Sequence, residues 1–255
     1  MGKLYPRHEK WTKNPDKTTE NRYEIEILMS RTQKLKGLSA ASLRLKTLND
    51  NPYDRQFVGV QYLCKKDKHF AKAYSLIGPI TYQVHEGGYA FMVHEIIEQM
   101  LCKKIGTVIY GRLVDMCGGF VTPESIDKLT DEQIMSIGTS NSKVKYIRSL
   151  TEEVISGRLV FSELESLSDA DVMKRLMAIR GIVKWTAKMY LIFCLDRQDI
   201  LPIEDVAFLQ GYAWPYNTKK IDKASVEKNC KKWSPYSSIA TRYIYRVLDG
   251  GYTKI

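Results

Sequence analysis

The sequence predicts a mainly α-helical protein with little or no β structure, on three observations. Apolar residues recur at helical spacing, as in the stripe Met92, Ile96, Ile97, Met100, Leu101, Ile105, Ile109 and Leu113. Helix start signals recur as well: Thr122 before Pro123, Thr130 with Gln133, Ser140, and Ser168. Finally, a glycine turn, "RGIVKWTAK" at residues 180–188, joins two apolar helical stretches.

The elements follow in chain order. Residues 1–50 read as an N-terminal extension, polar and lysine-rich at its start and partly disordered or helical. Within it, "YEIEILMSRTQ" fits a strand or a helix. "HFAKAYSLIG" reads as a short helix stopped by Gly78 and Pro79, and Gly87-Gly88 then breaks the chain. "FMVHEIIEQMLCKKIGTVIYGRLVDM" carries the long stripe. Thr122-Pro123-Glu124 opens a helix, and Thr130 and Gln133 have capping-box spacing. Ser140 caps "KVKYIRSLTEEVISG", which Gly157 ends, and Ser168 caps "DADVMKRLMAIRG". "WTAKMYLIFCL" follows Gly181. Pro202 opens "IEDVAFLQGY", and Ser234-Pro235 opens "YSSIATRYIYRVLDGG". No internal repeat or low-complexity tract occurs.

The chain has 255 residues, 44% of them hydrophobic, ample for a buried core. Its net charge of +10 suits a polyanionic partner, nucleic acid before membrane, as well as a solvated basic surface. No apolar run approaches the ~18–20 residues of a membrane span, and the N-terminus has no secretory apolar region. Five scattered cysteines without a Cys-x-x-Cys pair suggest a reduced, intracellular protein with no cysteine zinc site. "HEIIE" at His94 lacks the second histidine of a zinc-protease helix, so His94 reads as an ordinary helix residue.

Residues 171–193 read helix, hairpin, helix. Leu176 and Ile179 anchor the first helix. Arg180-Gly181-Ile182-Val183 forms the turn, with Ile182 as its buried tip, and Thr186 and Ala187 are small where the second helix must approach the first. Backbone N–H groups left unpaired at such a turn bind phosphate, aided by the helix dipole. Arg180, Lys184 and Lys188 would surround that anion. An ordinary αα-hairpin with a glycine C-cap is the alternative.

This stretch resembles the DNA-binding hairpin of the helix-hairpin-helix DNA glycosylase superfamily, and three further segments resemble it in the same order. "FMVHEIIEQMLCKKIGTVIYGRL" is similar to its first core helix, with a Gln at Gln99. "IGTSNSKVKYIRSL" is similar to its Gly-x-Ser-x-x-Lys segment, and "DILPIEDVAF" to its Pro-x-x-Asp segment. "KKWSPYSSIATRYIYRVL" resembles the closing helix of the 3-methyladenine DNA glycosylase II branch. The likeness covers roughly residues 51–248, so residues 51–255 are expected to form one glycosylase domain. The implied fold has two helical subdomains with a cleft between them. Two departures stand out: Val183 occupies the place of the family's second hairpin glycine, where a β-branched residue resists positive φ. Only about fifty residues precede the match, short for that branch's N-terminal sheet domain.

The resemblance implies roles residue by residue. Asp205, 24 residues after Gly181, becomes the catalytic carboxylate on the first turns of the helix opened by Pro202, with Glu204 the adjacent alternative. An ionised carboxylate there can stabilise an oxocarbenium-like sugar and orient water. Gly181, Ile182, Val183 and Thr186 join the basic residues of the hairpin, with Lys143, in holding DNA. Trp185 and Met189 line the base pocket, where an aromatic face attracts a cationic alkylated purine, and Trp233 and Tyr236 complete it. Asn141, after Gly138, is nearest the family's inserted side chain.

Strand-cutting members carry a lysine where this chain has Trp185. Without that amine no Schiff base forms, which implies a monofunctional enzyme. Only Cys194 and Cys230 follow the hairpin, too few for the family's iron–sulfur cluster. No cofactor is expected beyond a monovalent cation on hairpin carbonyls. The expected partner is duplex DNA containing a damaged base, bound by a monomer in the cytoplasm of a bacterium or the nucleus of a eukaryote. Two other readings stay open: a non-catalytic module for damaged or branched DNA, and a glycosylase for oxidised or mismatched bases.

Overall fold

The computed structural model describes residues 52–251 except 81, 83, 219 and 220. The expected extension over residues 1–50, with "YEIEILMSRTQ", lies outside them. Among the described residues there is no strand, and no helix is long and apolar enough to cross a membrane.

The helices are α1 (Pro52–Lys66), α2 (Lys68–Ile77), α3 (Gly88–Glu98), α4 (Lys103–Met116), α5 (Pro123–Asp127), α6 (Asp131–Ser136) and α7 (Asn141–Ile155). There follow α8 (Phe161–Leu164), α9 (Asp169–Met177), α10 (Lys184–Phe193), α11 (Val206–Ala213), α12 (Lys223–Cys230) and α13 (Ser237–Asp249). The caps sit where the sequence places them. Thr122 and Thr130 form capping boxes with Ser125 and Gln133, and Ser140 and Ser168 accept from Lys143 N and Asp171 N. Helices α1, α8 and α12 go beyond the sequence expectation.

Two expectations are corrected. The long stripe is two helices, because the chain turns out of α3 at Gln99 and Met100 takes a φ of 59°. Its apolar spacing fits one straight helix equally well, and no glycine or proline marks the break. The other concerns Pro202, which does not open a helix. Residues 202–205 form a turn closed by Asp205 N donating to Pro202 O at 3.0 Å, and the helix starts at Val206.

The helices build two cores. Ile96 and Ile97 of α3, Ile147 of α7, Leu176 of α9 and Leu191 of α10 are buried in the first. Leu63 of α1, Phe70 of α2, Phe208 of α11 and Trp233 and Tyr243 near and on α13 are buried in the second. Burying each such side chain contributes about 1.5–3 kcal/mol. Tyr245 of α13 packs against both cores, where the two subdomains meet. The second core also contains a buried carboxylate. Asp67 caps α2 and accepts from the Tyr216 hydroxyl and from Trp233 Nε1 at 2.8 Å, with Lys232 Nζ 3.2 Å away.

Candidate active site and nucleic-acid interface

The hairpin is locked by a close approach. Gly181 has a φ of 89°, and a Cβ there would stand 2.0 Å from the Tyr146 ring. Only glycine fits both restrictions. Gln99, having left its helix, donates through Nε2 to Gly181 O at 2.9 Å and to the Thr186 hydroxyl at 3.0 Å. The break after α3 therefore ties the first core helix to the turn.

Val183 does not disturb this turn. Its backbone is extended, with φ −94° and ψ 168°, so the position needs no second glycine. It is the N-cap of α10 and supplies no side-chain hydrogen bond to the first-turn N–H groups. The positive end of the helix dipole lies at this N-terminus. Arg180 is exposed beside it and Ile182 is the buried tip, as expected.

Several expected DNA contacts are corrected. Lys188 Nζ is turned inward, donating to Leu201 O at 2.7 Å and to Glu204 Oε2 at 2.8 Å, with its side chain 14% exposed. Lys184 Nζ also meets Glu204, at 2.9 Å, but its side chain is 56% exposed and can reach an external anion. Burial pushes the Glu204 carboxyl up, yet its bonds to Lys188 and Lys184 outweigh this and hold it below its ordinary range. Lys143 Nζ donates to Ile97 O at 2.6 Å and Gln99 O at 2.8 Å, satisfying carbonyls that the break in α3 leaves without helical donors. Burial lowers its pKa. Thr186 is fully buried, main chain included, and is not placed to touch DNA.

Asp205 is the N-cap of α11. Its Oδ1 accepts from Ala207 N at 2.8 Å, and its Oδ2 accepts from the Tyr245 hydroxyl at 2.5 Å. The same hydroxyl lies 3.7 Å from the sulfur of Met189, so the carboxylate stands beside α10. Trp185, one turn before Met189, packs on the first core with its buried indole N–H lacking a hydrogen-bond partner. Trp233 is corrected: it is fully buried in the second core and its N–H is taken by Asp67. Tyr236 also belongs to the second core, edge-on to Tyr62 at 5.3 Å.

Two residues beside these groups carry no sequence signal of their own: Tyr245 and Met100. Tyr245 lies on α13 with its hydroxyl on Asp205 Oδ2. Met100 looked like part of the long stripe, yet it is fully exposed at positive φ beside the Gln99 tie. A non-glycine residue at positive φ is uncommon. Asn141 is also exposed, on the first turn of α7.

The HhH-GPD superfamily base excision DNA repair protein model matches residues 93–235. The DNA-3-methyladenine glycosylase 1 of Schizosaccharomyces pombe is 29% identical over 201 residues, which are 76% of this chain and 88% of that protein. Among solved structures, a DNA-3-methyladenine glycosidase from Bacillus halodurans is 32% identical with a TM-score of 0.64, covering 78% of this chain and 90% of its own. The S. pombe 3-methyladenine DNA glycosylase in complex with abasic DNA is 28% identical with a TM-score of 0.70, covering 74% and 95%. The matched stretch spans more than half of the chain and contains both the hairpin and Asp205, and the chain belongs to the HhH-GPD superfamily of base excision DNA repair proteins.

Proposed function

We propose that this protein is a monofunctional DNA glycosylase of the 3-methyladenine glycosylase II type. It hydrolyses the N-glycosidic bond of alkylated purines in duplex DNA, as a monomer without a resident cofactor, in the compartment that holds the DNA. The observation that carries this reading is the place of Asp205. A doubly anchored carboxylate stands beside Met189 on the helix whose other end is the phosphate-binding hairpin.

The chemistry follows from that placement. A purine nucleotide alkylated at a ring nitrogen, as in 3-methyladenine, is cationic, so the bond between its nitrogen and the sugar C1′ breaks with its electrons going to the base, which leaves neutral. Positive charge develops on the sugar, where the Asp205 carboxylate stabilises it and orients the attacking water. Trp185 and Met189 line the space for the extruded base, an aromatic face suiting a cation. The uncapped N–H groups of α10, with Arg180 and Lys184, hold a phosphate. Met100, rather than Asn141, fills the gap in the stack, since an apolar side chain suits the space between bases. The lyase-lysine position is Trp185, and Lys184 is drawn to Glu204, which supports hydrolysis without strand cleavage. The extended backbone of Val183 removes the one ground for a non-catalytic module.

The test is incubation with methylated duplex DNA and chromatography of released bases. The native protein releases alkylated purines. Asp205→Asn binds DNA as before but releases them about 10²–10³-fold more slowly. Borohydride on abasic duplex traps no covalent adduct. Tight binding to abasic duplex without base release would establish the binding module instead, and release of oxidised bases alone the other glycosylase.

A further inference from the structure

Asp205 is held at both carboxylate oxygens, and only one of the holds is expected of a helix cap. Oδ1 on Ala207 N is the ordinary N-cap bond. That bond by itself leaves the carboxylate free to turn about its Cβ–Cγ bond. The second hold comes from α13, a helix packed along α11, through the Tyr245 hydroxyl on Oδ2. We propose that Tyr245 is the positioning residue that fixes the plane of the Asp205 carboxylate against the reacting sugar.

Three features make Tyr245 suited to this. Its ring is packed between the two cores, 6.2 Å from Phe193, so the hydroxyl cannot swing away. Burial and the adjacent Asp205 carboxylate push the phenol well above its usual range, so it remains an O–H donor across the working pH. Its other neighbour, the Met189 sulfur at 3.7 Å, is a weak acceptor and competes little for the proton. The donor thus goes to the carboxylate, and a carboxylate preorganised in one plane reacts without reorientation.

The inference rests on the glycosylase reading, and its test separates the two. Tyr245→Phe removes one oxygen and keeps the ring, so the packing and the melting temperature should hold. Two readouts are compared with those of the native protein: the single-turnover release rate on methylated duplex at saturating enzyme, and affinity for two synthetic duplexes. One duplex carries a pyrrolidine, whose protonated ring imitates the cationic sugar; the other carries a neutral tetrahydrofuran abasic site. The expected result is a release rate lower by about tenfold to a hundredfold, the size of one hydrogen bond to a charged group. Pyrrolidine-duplex binding should weaken by a similar factor, with tetrahydrofuran-duplex binding unchanged. In an Asp205→Asn background, Tyr245→Phe should leave pyrrolidine-duplex binding unaltered. A native release rate and native pyrrolidine binding in Tyr245→Phe overturn the positioning role while the glycosylase reading stands. Equal weakening on both duplexes overturns it too, as loss of general packing. If the native protein neither releases bases nor prefers the pyrrolidine duplex, the glycosylase reading is what fails.

Discussion

Lys188 of α10 donates to both oxygens of Glu204, at 3.2 and 2.8 Å, and to the carbonyl of Leu201 at 2.7 Å. One ammonium thereby fastens the turn before Asp205 to the helix that begins at the hairpin. A lysine so engaged is a structural group, whereas the proposed phosphate contact falls to its exposed neighbour Lys184, with Arg180. The two lysines should therefore behave differently. Lys184→Ala should flatten the slope of log K against log salt by up to about 0.9, one phosphate contact. Lys188→Ala should leave that slope alone and instead lower base release and thermal stability, since it leaves Glu204 half-buried with one cation fewer. Fluorescence anisotropy on a short duplex over a range of salt decides this, and equal flattening by both variants would show Lys188 reaching DNA.

Gly181 should tolerate no side chain. Gly181→Ala places a Cβ into the Tyr146 ring at a φ of 89°. Backbone strain alone costs about 1–3 kcal/mol, a fall in melting temperature of roughly 3–10 °C. Part of the loss should return in the double variant Gly181→Ala/Tyr146→Gly, which removes the ring and also the Tyr146 Cβ, 2.4 Å from the added methyl, while the backbone strain remains. Thermal unfolding of the single and double variants, with Tyr146→Gly alone as the reference, checks both steps.

Met100 should matter to DNA and not to folding. It is fully exposed, so Met100→Ala should leave unfolding within about 0.5 kcal/mol of the native value. Extruding a base costs a few kcal/mol, and without the wedge the flipped population should fall by about tenfold. 2-Aminopurine beside the damaged base reports this as a weaker fluorescence rise on binding. If Asn141→Ala shows the loss and Met100→Ala does not, the wedge comes from the loop after Gly138.

Asp67 makes the second core sensitive to acid. Burial pushes its carboxyl up, but bonds from Tyr216, Trp233 and the His69 N–H, with the Lys232 charge, outweigh this and hold it below the ordinary range of an aspartate. A group whose pKa is lower when folded contributes stability above its unfolded pKa and loses it as pH falls through the folded value. The native protein should therefore lose stability below about pH 4, near the unfolded value. Asp67→Asn should be less stable at pH 7 and lose less on the same descent. Urea unfolding between pH 7 and pH 3 measures both slopes.

Much of this protein is legible in the chain itself. The caps at Thr122, Thr130, Ser140 and Ser168 depend on one side chain and the backbone three residues on, so local sequence determines them. The hairpin and the position of Asp205 are legible for a similar reason, as short segments with their own residue pattern. The break at Met100, the start of α11 at Val206 and the roles of Lys143, Lys188 and Tyr245 are not. The start of α11 is set by the local turn at 202–205, which the proline signal does not announce, and each of the others is decided by a partner elsewhere in the chain. Lys143 meets carbonyls 44 and 46 residues away, and Tyr245 reaches Asp205 across 40 residues. A lysine reads as a surface cation, and a tyrosine on an apolar stripe as core, until packing sets an acceptor beside it. Buried polar groups must be paired, and the fold alone determines which groups are buried together.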